Sequence, residues 1–431
     1  MENDKLILAK LAIGLGCLAC FMCLKRTAVN GGGHLFLPGA FAFWLISRLG
    51  LFIALFVILR FEVPSDVPTY YYEPAKMALE GKITYRDFST SYGPLFPYIA
   101  AGPVAIWDSA KAIVLLAIIF EGIAIFLWHR VASRTLSVAD SKLGLLLYLC
   151  NPVPILNIVI AGQNQIWLSC FLAAALGLSL ARREFFSGLL IALSVGAVKF
   201  LSLIFVPYWW LMSKARLHFT SGIIIGLALI YLPFYWVGAD ILLPFKLEGV
   251  QISSGNLPYL LTLTGFNPSG HIAGLLLNLL LLGAIGMLSL LLYKNVRRGG
   301  ISGVSLLGLT AILLVFMLLS KKSYSNYLNI AMLPLCFSAA VVLHRKWQHE
   351  FFLLWCCVAA LEPSLWHRWL SKANLDDYLH QMASRGAMDF KLPLFILVEL
   401  LVLGGYLILL WLVLRHLLKP ANSGAQMPIL P

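Results

Sequence analysis

A carboxylate follows the first long apolar segments of the chain, in a loop rich in tyrosine and proline. Asp66 precedes the run Tyr70–Tyr72 and, further on, the turn Tyr92-Gly93-Pro94. A carboxylate beside aromatic walls suits a general base that removes the proton of a hydroxyl group. Asp is also a preferred helix N-cap, and proline suits the first helical turn, so Asp66 fits equally well as the cap of a helix starting near Pro68. Composition alone favours the cap.

Lysines stand where apolar stretches approach the outer side of a membrane. Lys199 interrupts an apolar run between Val198 and Phe200, and Lys321 and Lys322 follow another. An ammonium group at this depth is costly unless it reaches the interface or meets an anion. Extension of the side chain to the interface explains Lys321 and Lys322 as well as anion binding does. A phosphate at headgroup depth would pair with Lys199.

Other polar and aromatic side chains fall in the same outward loops and can bind hydroxyl or phosphate groups. This set comprises Gln163, Asn164, Gln165, Tyr70, Tyr92, Arg86, Asn256, Tyr324, Tyr327, His367 and Arg368. For His367 and Arg368, an interfacial aromatic belt is the simpler explanation. The eight cysteines lie in apolar segments and predict neither a disulfide framework nor a metal site. No cofactor motif is present, because Walker, GxGxxG and HExxH patterns are all missing.

The elements that position these residues must be membrane helices. The 431 residues are 60% hydrophobic and only 12% charged, which excludes a soluble globular protein. The net charge of +13 comes from small basic clusters in alternate loops. Such clusters indicate cytoplasmic loops rather than a nucleic-acid surface. We expect an all-α polytopic membrane protein of about 11–13 transmembrane helices, with interfacial helices in the first outer loop.

Three regions follow from this pattern. Residues 1–37 form an extra N-terminal helix and a cytoplasmic loop, 38–415 a transmembrane bundle with the outer loop 61–109, and 416–431 a cytoplasmic tail. One stretch, 185–212, is too short for two full spans but must return to its starting side, since basic clusters flank it. It therefore predicts a re-entrant pair of short helices with Lys199 at its apex.

An ordered set of short motifs extends from about Phe43 to Trp366. The set comprises Ala75 to Tyr85, Tyr92 to Leu95, Asn151 to Pro154, Gly162 to Asn164, Ser187 to Lys199, Asn256 to Tyr259 and Ser323 to Tyr327. In this order the motifs resemble the GT-C superfamily of polytopic glycosyltransferases. The resemblance is strongest to the polyprenyl-phosphate-mannose mannosyltransferases of phosphatidylinositol mannosides and to the catalytic subunit of GPI mannosyltransferase I.

The resemblance implies a GT-C-like bundle that transfers a sugar, mannose or a similar hexose or pentose, with inversion. The donor would be a polyprenyl-phosphate sugar and the acceptor a lipid or glycan at the extracytoplasmic face of a membrane, which we expect to be a prokaryotic plasma membrane. By this likeness Asp66 activates the acceptor and Lys199 meets the donor phosphate. Val67-Pro68 follows Asp66 where some relatives have Asp-x-Asp, so we expect no metal requirement. Membrane lipids and a small membrane subunit are compatible partners; nucleic acid is not.

Two other classes fit the same residues. A secondary transporter of a small anion or sugar would use Lys199 and residues 163–165 as a site between broken helices. A non-catalytic assembly subunit would use the same polar groups for packing and snorkelling. Donor-dependent product formation separates the enzyme from both.

Overall fold

A computed structural model describes residues 2–30, 36–64, 66–249, 251–297, 304–385 and 389–419. Within these residues the chain is helical, apart from loops and turns and one isolated bridge between Thr84 and Phe88. A helix pairs its own backbone groups, as a hydrocarbon environment requires. The predicted all-α polytopic membrane fold is confirmed.

In chain order we label nineteen helices. They are α1 (Glu2–Asn30), α2 (Phe36–Ile58), α3 (Glu73–Leu79), α4 (Phe96–Ile106), α5 (Ala110–Thr135), α6 (Val138–Leu149), α7 (Pro152–Ile160), α8 (Gln165–Leu180), α9 (Glu184–Ala197), α10 (Phe200–Met212), α11 (Arg216–Trp236), α12 (Leu243–Glu248), α13 (Leu257–Leu260), α14 (His271–Arg297), α15 (Leu306–Leu319), α16 (Leu328–Val342), α17 (Lys346–Trp369), α18 (Leu375–Arg385) and α19 (Lys391–Leu417).

Within the described residues, six helices are long and apolar enough to cross a membrane: α1, α2, α5, α11, α14 and α19. The pair α6 and α7, bent by 41°, makes a seventh if it counts as one span. Shorter apolar helices, among them α8, α15 and α16, lie between these. The count of about 11–13 crossings stays a prediction, since it includes these shorter helices. The boundaries predicted for the three regions also stay predictions, and the tail beyond residue 419 lies outside the described residues.

The centre of the bundle is formed by α15 and α16, in which almost every side chain is buried. A helix that is apolar on all sides is expected to be enclosed by other helices. The surrounding spans bury one face and leave leucine and isoleucine exposed on the other, as lipid contact requires. A fully buried ion pair joins two spans, with Nε of Arg48 3.2 Å from Oε1 of Glu121. The hydroxyl of Tyr148 also donates to Oε1 of Glu121, so this interior charge is hydrogen-bonded as well as paired.

The chain from α9 to α10 breaks at Lys199, where the hairpin was predicted. Packing of α9 against α11 is close, because a β-carbon on Gly188 would lie 2.2 Å from the carbonyl oxygen of Phe219. Small residues permit such contact between membrane helices. The first outer loop, where interfacial helices were expected, contains the helices α3 and α4. Helix α4 buries much of its surface against the bundle.

Candidate functional site

Asp66 lies at the N-terminal end of a wide helical turn, Val67–Tyr72, that leads into α3. Its carboxylate makes no hydrogen bond to the first turn, so the structure does not support the capping interpretation. Oδ2 of Asp66 instead accepts a hydrogen bond from Nε2 of Gln163, 3.3 Å away. A carboxylate offers about four acceptor positions, so this single bond leaves capacity for a substrate hydroxyl.

Gln163 connects Asp66 to the surrounding loops. Its Oε1 accepts hydrogen bonds from the hydroxyl of Tyr71 at 3.1 Å and from Nδ2 of Asn326 at 2.9 Å. The hydroxyl of Tyr92 donates to that of Tyr71, 3.2 Å away. A continuous set of hydrogen bonds therefore extends from the carboxylate to the buried ring of Tyr92.

Two backbone hydrogen bonds attach the loop 61–109 to the chain break between α9 and α10. The amide of Gly93 donates to the carbonyl of Val198, and the amide of Leu95 to that of Gly196, each at 2.9 Å. A β-carbon at position 93 would lie 2.2 Å from the carbonyl oxygen of Gly196, so only glycine permits this approach. The contact brings Nζ of Lys199 to 4.6 Å from the centre of the Tyr92 ring, a cation–π distance.

Lys199 and Lys322 share one carboxylate. Nζ of Lys199 lies 3.3 Å from Oε1 of Glu248 and donates to the hydroxyl of Tyr327 at 3.2 Å, while Nζ of Lys322 contacts Oε2 of Glu248. All three charged side chains are largely buried. Two ammonium groups around one carboxylate leave one net positive charge, which can hold a singly charged anion such as a phosphodiester.

Burial and charge act in opposite directions on this cluster. Burial alone would raise the pKa of Glu248, but Lys199 and Lys322 outweigh it and hold the pKa below its usual value. Burial lowers the pKa of Lys322 to about 8, with Glu248 opposing the shift and Lys199 adding to it. Both groups lie in loops or short helices outside the spanning helices.

The Asp66 cavity, of about 610 Å³, contains the carboxylate. Its other lining residues are Ile7, Lys10, Asn157, Ala161, Gln163, Ser254, Tyr324, Asn326, Ala360, Pro363, Ser364, Trp366, His367, Arg368 and Lys372. Asp66 is the one carboxylate among these residues, and it faces amides, hydroxyls and basic groups. Buried atoms of Asn157 and Asn326 have no hydrogen-bond partner in the described part of the protein. Such groups suit a ligand rich in hydroxyls.

The lysine cavity, of about 270 Å³, is also lined by residues of the segment 320–327. Ser320, Lys322 and Tyr327 line it, whereas Tyr324 and Asn326 of the same segment line the Asp66 cavity. Lys199 and Glu248 form its polar end, and the rest of its wall is largely apolar, with Phe200, Leu201, Pro244, Phe245, Leu281 and Phe316. Lys322 is close enough to Asp66 for the two charges to interact. The two cavities are thus neighbours.

Several predicted site residues have other partners. Nζ of Lys321 donates to the backbone carbonyls of Gly249 and Pro268, at 2.7 and 3.4 Å, so it connects loops. Asn256 is an N-cap: its Oδ1 accepts from the amide of Tyr259 at 2.9 Å. Arg86 pairs with its neighbour Asp87 at the exposed surface.

Tyr70 is 56% exposed, and Asn164 and Gln165 are buried where α8 begins. None of these three residues, nor Lys321, Asn256 or Arg86, lines either cavity, so their substrate contacts stay predictions. By contrast, His367 and Arg368 line the Asp66 cavity, although the sequence favoured ordinary headgroup contacts for both.

Sequence reasoning missed Glu248, Asn157, Asn326 and Lys10. Glu248 was one of many carboxylates in outer loops, and no local pattern marked it. Lys10 belongs to α1, the helix expected to lie outside the shared core, yet its Nζ donates to Oγ of Ser364 at 2.6 Å in the cavity wall. The signal available for Lys10 was its position inside an apolar run, the same signal that identified Lys199.

The long apolar helices indicate an integral, multi-pass membrane protein, and the Asp66 cavity gives it a polar site. Residues 68–215 match the model of the MptA_B family, described as alpha-(1->6)-mannopyranosyltransferase, N-terminal domain. The match confirms the resemblance to GT-C mannosyltransferases and supports a glycosyltransferase acting on mannose, while the subtype and the donor stay predictions. It includes Tyr92, Gln163 and Lys199 but begins two residues after Asp66. No curated protein shows a significant match to the chain.

Proposed function

We propose that the protein transfers mannose from a polyprenyl-phosphate donor to a hydroxyl group of a lipid or glycan acceptor, with inversion at the anomeric carbon. The observation that carries this proposal is the placement of a single carboxylate and a pair of lysines in neighbouring cavities that are both lined by residues 320–327. Direct displacement needs a base on one side of the sugar and a cation on the other.

In the proposed step the acceptor oxygen forms a bond to the anomeric carbon while the bond from that carbon to the phosphate oxygen breaks. Asp66 takes the acceptor proton, and the electron pair of the broken bond stays on the polyprenyl phosphate. The hydrogen bond from Gln163 holds the carboxylate in place without supplying a proton relay. No covalent intermediate is required.

The leaving phosphate gains one negative charge during this step. Lys199 and Lys322 already carry one charge beyond that of Glu248, which suits the singly charged donor. The additional charge on the product phosphate strengthens its attraction to both ammonium groups, so the pair stabilises the transition state more than the bound donor.

The two cavities suit different substrates. Aromatic and aliphatic side chains of the lysine cavity offer a wall for a polyprenyl chain. The Asp66 cavity, with amides and basic groups, offers hydrogen-bond donors for the hydroxyls of an acceptor sugar. We therefore assign the donor to the lysine cavity and the acceptor to the Asp66 cavity.

Reconstitution tests this function. The purified protein in liposomes is supplied with polyprenyl-phosphate-mannose or GDP-mannose and with octyl α-mannoside as acceptor, and the dimannoside is measured by mass spectrometry. We expect dimannoside from polyprenyl-phosphate-mannose but not from GDP-mannose. The amount of dimannoside should stay the same in the presence of EDTA. Product with GDP-mannose alone would contradict the donor assignment. Mannoside uptake without product would favour the transporter.

The face of action is tested by accessibility. Ser89 and Ser371 are exposed in outer loops, and Ser137 is exposed in a loop expected to be cytoplasmic. In a background lacking the native cysteines, Ser89→Cys and Ser371→Cys should react with an impermeant thiol reagent in intact cells, whereas Ser137→Cys should not. The reverse pattern would contradict the extracytoplasmic site. Ser253, in the same outer region, is fully buried and would not report on sidedness.

A further inference from the structure

A third cavity, distinct in its lining from the two described above, lies between α17 and α19. It measures about 470 Å³ and is lined almost entirely by apolar side chains. On α17 it contacts Trp347, Phe351, Phe352 and Trp355; on α19 it extends from Leu400 to Leu412. The twelve steps of 1.5 Å from Leu400 to Leu412 make this length roughly 18 Å, comparable with the hydrocarbon depth of one leaflet, about 15 Å.

Two adjacent glycines of α19 have different surroundings, and together they shape the groove. A β-carbon on Gly405 would lie 1.9 Å from the indole nitrogen of Trp355, so Gly405 allows the two helices to approach. A β-carbon on Gly404 would meet nothing within 4 Å. Gly404 therefore forms part of an open groove floor beside a close helix contact.

A basic pocket adjoins one end of this groove. The pocket, of about 140 Å³, is lined by His344, Arg415, His416 and Lys419 together with Val342 and Leu412. Leu412 lines the groove as well, so the apolar groove and the basic pocket share a wall. The charges facing His416 also include that of Asp140, from the start of α6.

We propose that this combined site binds an anionic phospholipid, with an acyl chain in the α17–α19 groove and the phosphate in the basic pocket. The groove is apolar over the depth of one leaflet, as an acyl chain requires, and it ends at two permanent cations and two imidazoles, which suit a phosphate. Basic pockets between membrane helices on the cytoplasmic side are suited to anionic headgroups. The assignment does not depend on the proposed sugar transfer.

Native mass spectrometry of the full-length protein tests the site. Delipidated protein is titrated with palmitoyl-oleoyl phosphatidylglycerol, with the phosphatidylcholine of the same chains, and with undecaprenyl phosphate. We expect phosphatidylglycerol to bind at least about tenfold more tightly than phosphatidylcholine, since each basic residue near an anionic headgroup contributes about 1 kcal/mol. Equal affinity for both phospholipids would overturn the assignment, as would displacement of bound phosphatidylglycerol by undecaprenyl phosphate, which is expected in the lysine cavity.

Two variants address the two halves of the site. Arg415→Gln combined with Lys419→Gln should remove the preference for the anionic headgroup, and Gly404→Leu should weaken binding of either phospholipid by filling the groove. Gly283→Leu, on α14, is the matched control, because a β-carbon there also meets nothing within 4 Å. Melting temperatures should stay close to wild type in Gly404→Leu and Gly283→Leu. Unchanged phosphatidylglycerol binding in both the double variant and Gly404→Leu would refute the proposal.

Discussion

The change Asp66→Asn separates a catalytic base from a structural residue. Asparagine keeps the size of aspartate, and its Oδ1 can still accept the hydrogen bond from Nε2 of Gln163, which spans 3.3 Å in the wild type. Exchange of this charge-assisted hydrogen bond for a neutral one would cost about 1–1.5 kcal/mol, so a structural effect would stay within roughly tenfold. A lost general base costs about 10²–10⁴-fold, or roughly 2.7–5.4 kcal/mol at 1.36 kcal/mol per decade.

The assay is single-turnover transfer from radiolabelled polyprenyl-phosphate-mannose in liposomes, with donor binding and melting temperature measured on the same preparations. We expect Asp66→Asn to lose at least about 100-fold in rate while donor binding and melting temperature stay at wild-type levels. Glu73→Gln is the matched control, an exposed carboxylate of the same loop, and should retain full activity. A rate for Asp66→Asn within fivefold of wild type would refute the reasoning.

The remaining predictions concern the lysine cavity and the hairpin apex. Lys199→Ala should lose at least about 100-fold in transfer rate and Lys199→Arg should retain part of it, because arginine keeps the charge; folded Lys199→Ala with normal turnover would contradict this role. Lys322 is protonated below its pKa of about 8, so the KM for donor should rise as pH increases through 8. Lys322→Arg should remove that rise, and its persistence in this variant would assign it to another group. Gly93→Ala should lower the melting temperature, since its β-carbon would lie 2.2 Å from a carbonyl oxygen, whereas Gly102→Ala, which meets nothing within 4 Å, should raise it slightly. Equal melting temperatures for the two glycine variants would contradict the close approach.

Local properties of the chain were enough to predict most helices. The apolar run between Lys391 and Arg415 predicts a membrane helix, and the structure has α19, Lys391–Leu417, at this place. The break at Lys199 was also predictable, because basic flanks and helix length together permit a single solution for 185–212. Hydropathy and helical rise are properties of neighbouring residues, so they can be deduced without knowing which helices touch.

The cluster around Glu248 depended on the tertiary structure. Lys199 and Lys322 are far apart in the chain and meet on one carboxylate that no local pattern distinguished from other acidic residues. Lys321 and Lys322 show most directly that the tertiary structure, and not the local sequence, decides a side chain's partners. They are adjacent and identical in type, yet Lys321 donates to the backbone carbonyls of Gly249 and Pro268, while Lys322 joins the ion cluster.

The sequence by itself therefore determined the class of protein, the long apolar helices and the break at Lys199, and it predicted roles for Asp66 and Lys199. Only the tertiary structure decided that Asp66 bonds to Gln163 rather than capping a helix, and that α1 contributes Lys10 to the wall of the Asp66 cavity. The physical reason is that hydropathy is encoded locally, whereas a side chain's partners depend on groups from distant segments that packing brings within hydrogen-bonding distance.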